Sequence, residues 1–180
     1  WSTDFNISMN RNKLEKLSLQ PVYYYTQTSE ALSEYVVRMT PGQPLSRFWG
    51  YKSNGVDPET GMIMYEDYNN DGKITSADKH YIGDANPLFT AGLTNTVSWK
   101  GLNLSILLTS SVGNDIYNAS KIEMVGMYSG ANQIKDVVRR WRIPGQITDI
   151  PKANELDNLR ASTRWIEDGS YLKVKNITLS

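Results

Sequence analysis

Residues 89–112 read FTAGLTNTVSWKGLNLSILLTSSV, and both halves of the stretch alternate. Phe89, Ala91, Leu93, Val97 and Trp99 fall on one side, interrupted by Asn95 alone; Thr90, Gly92, Thr94, Thr96 and Ser98 take the other. After Lys100-Gly101, Leu102, Leu104, Ile106 and Leu108 alternate with Asn103, Ser105, Leu107 and Thr109. Successive strand side chains point to opposite faces, so this period of two predicts two strands joined as a hairpin. Gly101 supplies the positive φ that a two-residue turn demands, with Lys100 standing where Asn or Asp is commoner.

The polar side of this hairpin carries Thr, Ser, Asn and Gly but no charge, and aromatic residues bracket the apolar side. From Phe89 to Trp99 is about 33 Å of strand at roughly 3.3 Å per residue. Tilted by about 40°, that length spans about 25 Å of height, the apolar band of a membrane barrel with an aromatic residue at each interface. A β-sandwich hairpin with aromatic ends is the alternative.

Composition leaves both open. The 180 residues carry 19 basic and 19 acidic side chains, which argues against a nucleic-acid binder, since that would need a basic face. No run of 18 apolar residues offers a transmembrane helix, which says nothing of a barrel. Cysteine is absent, so disulfides, zinc–thiolate sites and thiol nucleophiles are excluded. Both ends sit inside strand patterns. Trp1, Thr3, Phe5, Ile7 and Met9 alternate with polar residues, and YLKVKNITLS closes the chain. A piece of a longer protein is therefore expected.

Between these ends, residues 10–13 read as loop, Tyr23-Tyr24-Tyr25 as strand, and Ser29 to Val37 as a helical turn. LSRFWGYKSNGV, after the breaker Pro41-Gly42-Gln43-Pro44, reads as extended, and Met62 to Tyr65 as a short strand. In the long polar connection 113–168, Ile134, Val137, Val138 and Trp141 recur at helical spacing up to Pro144-Gly145. Leu172 and Val174 share one strand phase, whereas Ile177 and Leu179 share the other. That slip predicts a bulge near Lys175-Asn176.

The sharpest chemical pattern is DYNNDGKITSAD, residues 67–78. Calcium takes several oxygens, and a short loop delivers them from alternate positions around a glycine bend. Asp67, Asn69 and Asp71 hold the alternate positions, Gly72 the bend, the Lys73 carbonyl follows, and Asp78 closes the set one methylene short of the usual Glu. An Asx-rich turn without an ion is the competing expectation. Enzyme chemistry finds little support, with His80 the sole histidine and no nucleophile pattern beside it. Phe48, Trp49, Tyr51, Trp141 and Trp165 could stack on sugars, but aromatic residues of this kind are more often core or interface residues. Asn6, Asn103, Asn118 and Asn176 start N-x-S/T triplets, three of them in expected strands, so glycosylation is set aside.

Three stretches taken together carry a resemblance: GQPLSRFWGYKSNGV, the long block from Asp67 to Asn118, and RWIEDGSYLKVKNITLS. Their order resembles the C-terminal barrel region of the SusC/RagA family of TonB-dependent outer-membrane transporters. It runs from an aromatic Gly-Tyr segment through an Asp-Asn-Asp-Gly loop and Ile-Gly before a Pro to a strand into Lys-Gly, then Asp-Gly-Ser-Tyr-Leu. The resemblance implies an all-β fold, part of a 22-stranded antiparallel barrel with long extracellular loops. The plug domain and remaining strands would lie outside residues 1–180. It implies import of glycans or peptides across the outer membrane, contact with lipid, TonB coupling through the absent N-terminal region, and a SusD-like surface lipoprotein as lid. It implies no catalytic residues; the metal candidates remain Asp67, Asn69, Asp71, Lys73 and Asp78, with Ca2+ the ion. The rival expectation is a soluble secreted calcium-binding β domain, an adhesin or a carbohydrate-binding module.

Overall fold

The computed structural model describes residues 1–17, 23–26 and 34–180. In chain order its strands are β1 (Ser2–Ser8), β2 (Tyr23–Thr26), β3 (Tyr35–Met39), β4 (Arg47–Gly50), β5 (Ser53–Val56), β6 (Ile63–Tyr65), β7 (His80–Asp84), β8 (Phe89–Trp99), β9 (Leu102–Val112), β10 (Asp115–Tyr117), β11 (Ile166–Asp168) and β12 (Tyr171–Leu179). One α-helix, α1 (Ala119–Val125), and four short 3-10 turns complete the described residues. The fold is all-β and antiparallel in its sheets, and no helix among the described residues is long and apolar enough to cross a membrane. The chain divides into two compact units. The first holds Trp1–Asn12, Asp84–Ile116 and Asp168–Ser180; the second holds Lys13–Gly83 and Tyr117–Glu167.

The first unit is one antiparallel sheet in the order β1-β8-β9-β12. The expected hairpin is its centre: β8 and β9 pair from Phe89↔Val112 to Trp99↔Leu102, and Lys100 and Gly101 both take positive φ, 48° and 87°. Those two left-handed residues give the turn the twist that matches the flanking strands. Directly opposed residues share a face, so the register fixes which side chains stand together. Phe5 meets Leu93, Leu93 meets Leu108, Val97 meets Leu104, and Ile106 meets Ile177.

β12 shows how the sequence phase slip is resolved. Val174 pairs with Leu108 and Asn176 with Leu107, leaving Lys175 as the extra residue of a bulge. One inserted residue flips the phase of everything beyond it. Leu172 and Val174 on one side of the bulge, and Ile177 and Leu179 on the other, therefore pair with Ser110, Leu108, Ile106 and Leu104, all of the same face. The expected bulge is present, and its effect is to keep that face apolar across all four strands. The polar interruption at Asn95 is satisfied there: its Oδ1 accepts from Thr3 Oγ1 at 2.7 Å and from the Trp1 indole at 3.3 Å. The opposite face carries Ser, Thr, Asn and Gly, with Asp4 and Lys173 its charges and Leu107 and Tyr171 its large exceptions.

The second unit carries a small core in which Ile122, Val125, Leu159 and Trp165 are buried, with Tyr117, Tyr128 and Val137 packed against them. It also holds the antiparallel sheet β2-β3-β4-β7, which its last residue Asp84 leaves, and the hairpin β5-β6. Buried Asn158 ties the hairpin to the later chain, accepting from the Ile63 N–H at 2.8 Å and donating to the Lys152 carbonyl at 3.1 Å. The expected strands at Tyr23–Tyr25, 45–56 and 62–65 are present as β2, β4, β5 and β6.

Two helical expectations are corrected. Residues 35–37 of the expected turn at Ser29 to Val37 lie in strand β3; residues 29–33 lie outside the described residues. The helix expected over Ile134, Val137, Val138 and Trp141 is a single 3-10 segment, Lys135–Arg139. Trp141 leaves it because its indole donates to the Pro58 carbonyl at 2.7 Å and its ring closes on Gly61, where a Cβ would sit 2.4 Å away. The α-helix forms earlier, at α1, where the Asn118 side chain caps the Lys121 N–H and Ile122 and Val125 enter the core.

Candidate functional site

Residues 67–78 fold as a ladder of carboxyl and amide oxygens receiving backbone N–H groups. Asp67 takes the N–H groups of Asp71 at 3.1 Å and Gly72 at 2.7 Å. Asn69 Oδ1 accepts from Asp71 N at 3.0 Å, and Asp71 Oδ1 from Lys73 N at 2.8 Å. Short polar side chains bonding two residues ahead in this way make tight local turns. Gly72, at φ 79°, stands in the left-handed region with open space around it, and so does Asn70 at 58°.

Asp78 does something different from the other three. Its side chain is fully buried, and both its oxygens are engaged: Oδ1 by the N–H groups of Tyr68 at 3.0 Å and Asn69 at 3.3 Å, Oδ2 by that of Thr75 at 2.7 Å. Thr75 reciprocates as the N-cap of the following 3-10 turn, its hydroxyl accepting from Ala77 N at 3.2 Å. This is a capping box, and it makes Asp78 the brace that closes the loop on itself. The Thr75 N–H, opposed by burial and joined by those of Asn69 and Tyr68, holds the Asp78 carboxyl below the usual carboxylate range. Lys73 contributes its position in the ladder through its N–H. Among the described residues no three acidic or histidine side chains converge as a metal-holding group.

The other candidates have structural contacts. His80 bonds the Asp78 carbonyl through Nδ1 at 3.0 Å and stacks on Tyr68 with ring centroids 4.5 Å apart. Phe48 and Tyr51 are buried, and Trp165 is wholly enclosed with its indole on the Arg160 carbonyl at 3.0 Å. Burial pulls the neighbouring Arg164 guanidinium down to about 10 and pushes the Tyr65 phenol well up, which marks this as a dry interior. Trp49 alone of the five aromatics is half-buried beside an open cleft.

No protein-family model matches the chain. It is 29% identical, over 99% of its length, to TonB-dependent receptor P3 of Formosa agariphila, of which it covers 19%. It is 24% identical, over 99% of its length, to TonB-dependent receptor SusC of Bacteroides thetaiotaomicron, of which it covers 18%. The fold superimposes on the structure of the RagAB peptide transporter with a TM-score of 0.80 and 23% identity, over 98% of this chain and 20% of that one. The chain thus spans about a fifth of the length of the curated relatives it matches.

Proposed function

We infer that this SusC/RagA-like chain supplies four membrane-spanning strands and two long extracellular excursions to a TonB-dependent importer of the outer membrane. The observation that carries this is the sheet β1-β8-β9-β12. One of its faces is apolar on every strand, and the other is small and polar. Lipid requires the first face and a water-filled lumen accepts the second. Direction adds support. Ser8, Phe89, Val112 and Tyr171 stand at one end of the sheet, with the two-residue turn Lys100-Gly101 at the other. Residues 9–88 and 113–170 therefore leave and re-enter at the same end. Short periplasmic turns and long extracellular loops are the rule for such barrels, which puts that end outside the cell.

In this assignment Leu93, Val97, Leu104 and Ile106 face lipid. The remaining strands of a 22-stranded barrel, the plug and the TonB contact lie beyond residues 1–180. Oligosaccharides or peptides are the cargo, a SusD-like lipoprotein is the lid, and the chain does no catalysis. The names of the relatives, receptors and a transporter, agree with that. For the loop, Ca2+ would be held by Asp67, Asn69, Asp71 and the Lys73 carbonyl, supported by the oxygen ladder. Asp78 serves there as a brace, because both its oxygens are already engaged. Calorimetric titration of the full-length receptor with Ca2+ tests this: a heat of binding lost in Asp71→Asn supports the ion, and no heat removes it.

The membrane assignment has its own test. Both outer edges of the sheet, on β1 and β12, leave backbone groups to pair with further strands, and lipid makes each unpaired group cost several kcal/mol. Residues 1–180 expressed alone in detergent-free buffer should sediment as aggregates without a cooperative melt. A monodisperse, cooperatively melting protein would support the soluble calcium-binding β domain instead.

A further inference from the structure

We propose that the second unit carries a recognition subsite for a carboxylate group, built by Arg38, Trp49, Ser76 and Lys79 around an open cleft of about 310 Å³ whose rim Tyr35 completes. The proposal rests on the importer assignment, since it names a chemical class of cargo. The floor is a preorganised stack: the Arg38 guanidinium carbon lies 4.0 Å above the Trp49 ring, and Trp49 meets Tyr81 edge to face at 5.0 Å. Behind them Arg47 lies 4.3 Å over Tyr81, whose hydroxyl donates to Thr40 at 3.0 Å. Arg38 and Arg47 come from adjacent strands, one residue to either side of the pair Val37↔Phe48, so two like charges stand nearly opposite. The rings between them separate the charges without cancelling them.

The other wall comes from the turn after the oxygen ladder. Ser76 and Lys79 are set by the capping box of Thr75 and Asp78, which gives the Asp78 brace a purpose beyond its own loop. Lys79 reaches Glu34 at 3.1 Å, so the charged groups at the cleft among the described residues are two cations to one carboxylate. An aromatic platform beside an arginine fork, a lysine and a hydroxyl suits a carboxylate attached to a ring or short chain that can lie on Trp49. A uronic acid sugar and the free end of a peptide share that chemistry.

The test uses the full-length receptor in detergent, titrated with two matched pairs of probes. One pair is an oligopeptide with a free C-terminus and the same peptide amidated; the other is a uronate oligosaccharide and its methyl ester. The expected result is about tenfold preference for the carboxylate member of at least one pair, the lower end of what a charge-assisted hydrogen bond contributes. The pair that shows it identifies the source. Arg38→Gln should abolish that preference, and exposed Ser76→Ala should narrow it while leaving the circular dichroism unchanged. Equal binding within both pairs, or a preference that both variants retain in full, overturns the subsite. Fractionation of the same preparation reports on the importer assignment separately: a receptor found in the soluble fraction overturns that assignment whatever the titrations show.

Discussion

The two units handle apolar side chains in opposite ways. In the second, Ile122, Leu159 and Trp165 have at most 1% of their surface exposed, and polar neighbours such as Asn158 are bonded inside. In the first, Phe5, Leu172, Ile177 and Leu179 are each more than 60% exposed, and they stand together on one face with no layer over it within that unit. Water drives apolar groups inward, so the second arrangement is what an aqueous setting selects. The first is stable only where the surroundings are themselves apolar or another layer covers it. The difference teaches that a single chain has been selected in two solvents, and that the sheet, not the core, reports the membrane.

The most severe way to break the contrast is deletion of Lys175. Without the bulge, two apolar side chains of β12 must move to the polar face. At about 1.5–3 kcal/mol each, that costs about 3–6 kcal/mol. Urea titration of the full-length receptor, followed by the heat-dependent gel shift of folded barrels, should record it. Trp165→Ala acts on the other unit. Removing a wholly enclosed indole should cost about 3–5 kcal/mol, read as faster proteolysis within residues 117–167, with the barrel gel shift unchanged. Next in size is Leu108→Arg. It lies mid-strand opposite Leu93 and Val174 and should cost about 2–4 kcal/mol, whereas Thr109→Arg on the other face should cost much less. If those two variants unfold alike, the two faces do not differ in solvent.

The smallest expected effect belongs to Asp78. Its carboxyl is held below the usual range, so its contribution is present above the ordinary carboxylate pKa and lost as pH falls through the lowered folded value. Asp78→Asn should lower the melting temperature of the second unit by several degrees at neutral pH. It should also flatten the dependence of that temperature on pH in the acid range, while the first unit stays as it was. Scanning calorimetry across that range reads both.

What the residues disclosed follows from locality. The hairpin was legible because alternation and a Lys-Gly turn act within a few positions, and the bulge because a phase slip at Lys175 has one simple remedy. Helix α1 also had a local sign that went unread, the Asn118 cap ahead of Ile122 and Val125. The helical spacing around Ile134 misled because Trp141 is claimed by Pro58, 83 positions away. Asp78 was open to two readings. It stands at the closing position of a calcium loop and also three residues after Thr75, the spacing of a capping box, and the backbone N–H groups of Tyr68, Asn69 and Thr75 engage it. The cleft was invisible, since Arg38, Trp49 and Ser76 come together only through the fold.

The central claim is that the β8–β9 hairpin has one face in lipid and one in water. Spin labels placed singly at 93, 97, 104 and 106, and at 94, 96 and 105, in the full-length receptor reconstituted into bilayers test it most directly, since residues 1–180 bring no competing cysteine. Collision with oxygen, which concentrates in the bilayer, should dominate at the first set, and collision with a water-soluble nickel chelate at the second. Loss of that alternation, or its reversal, would contradict the account.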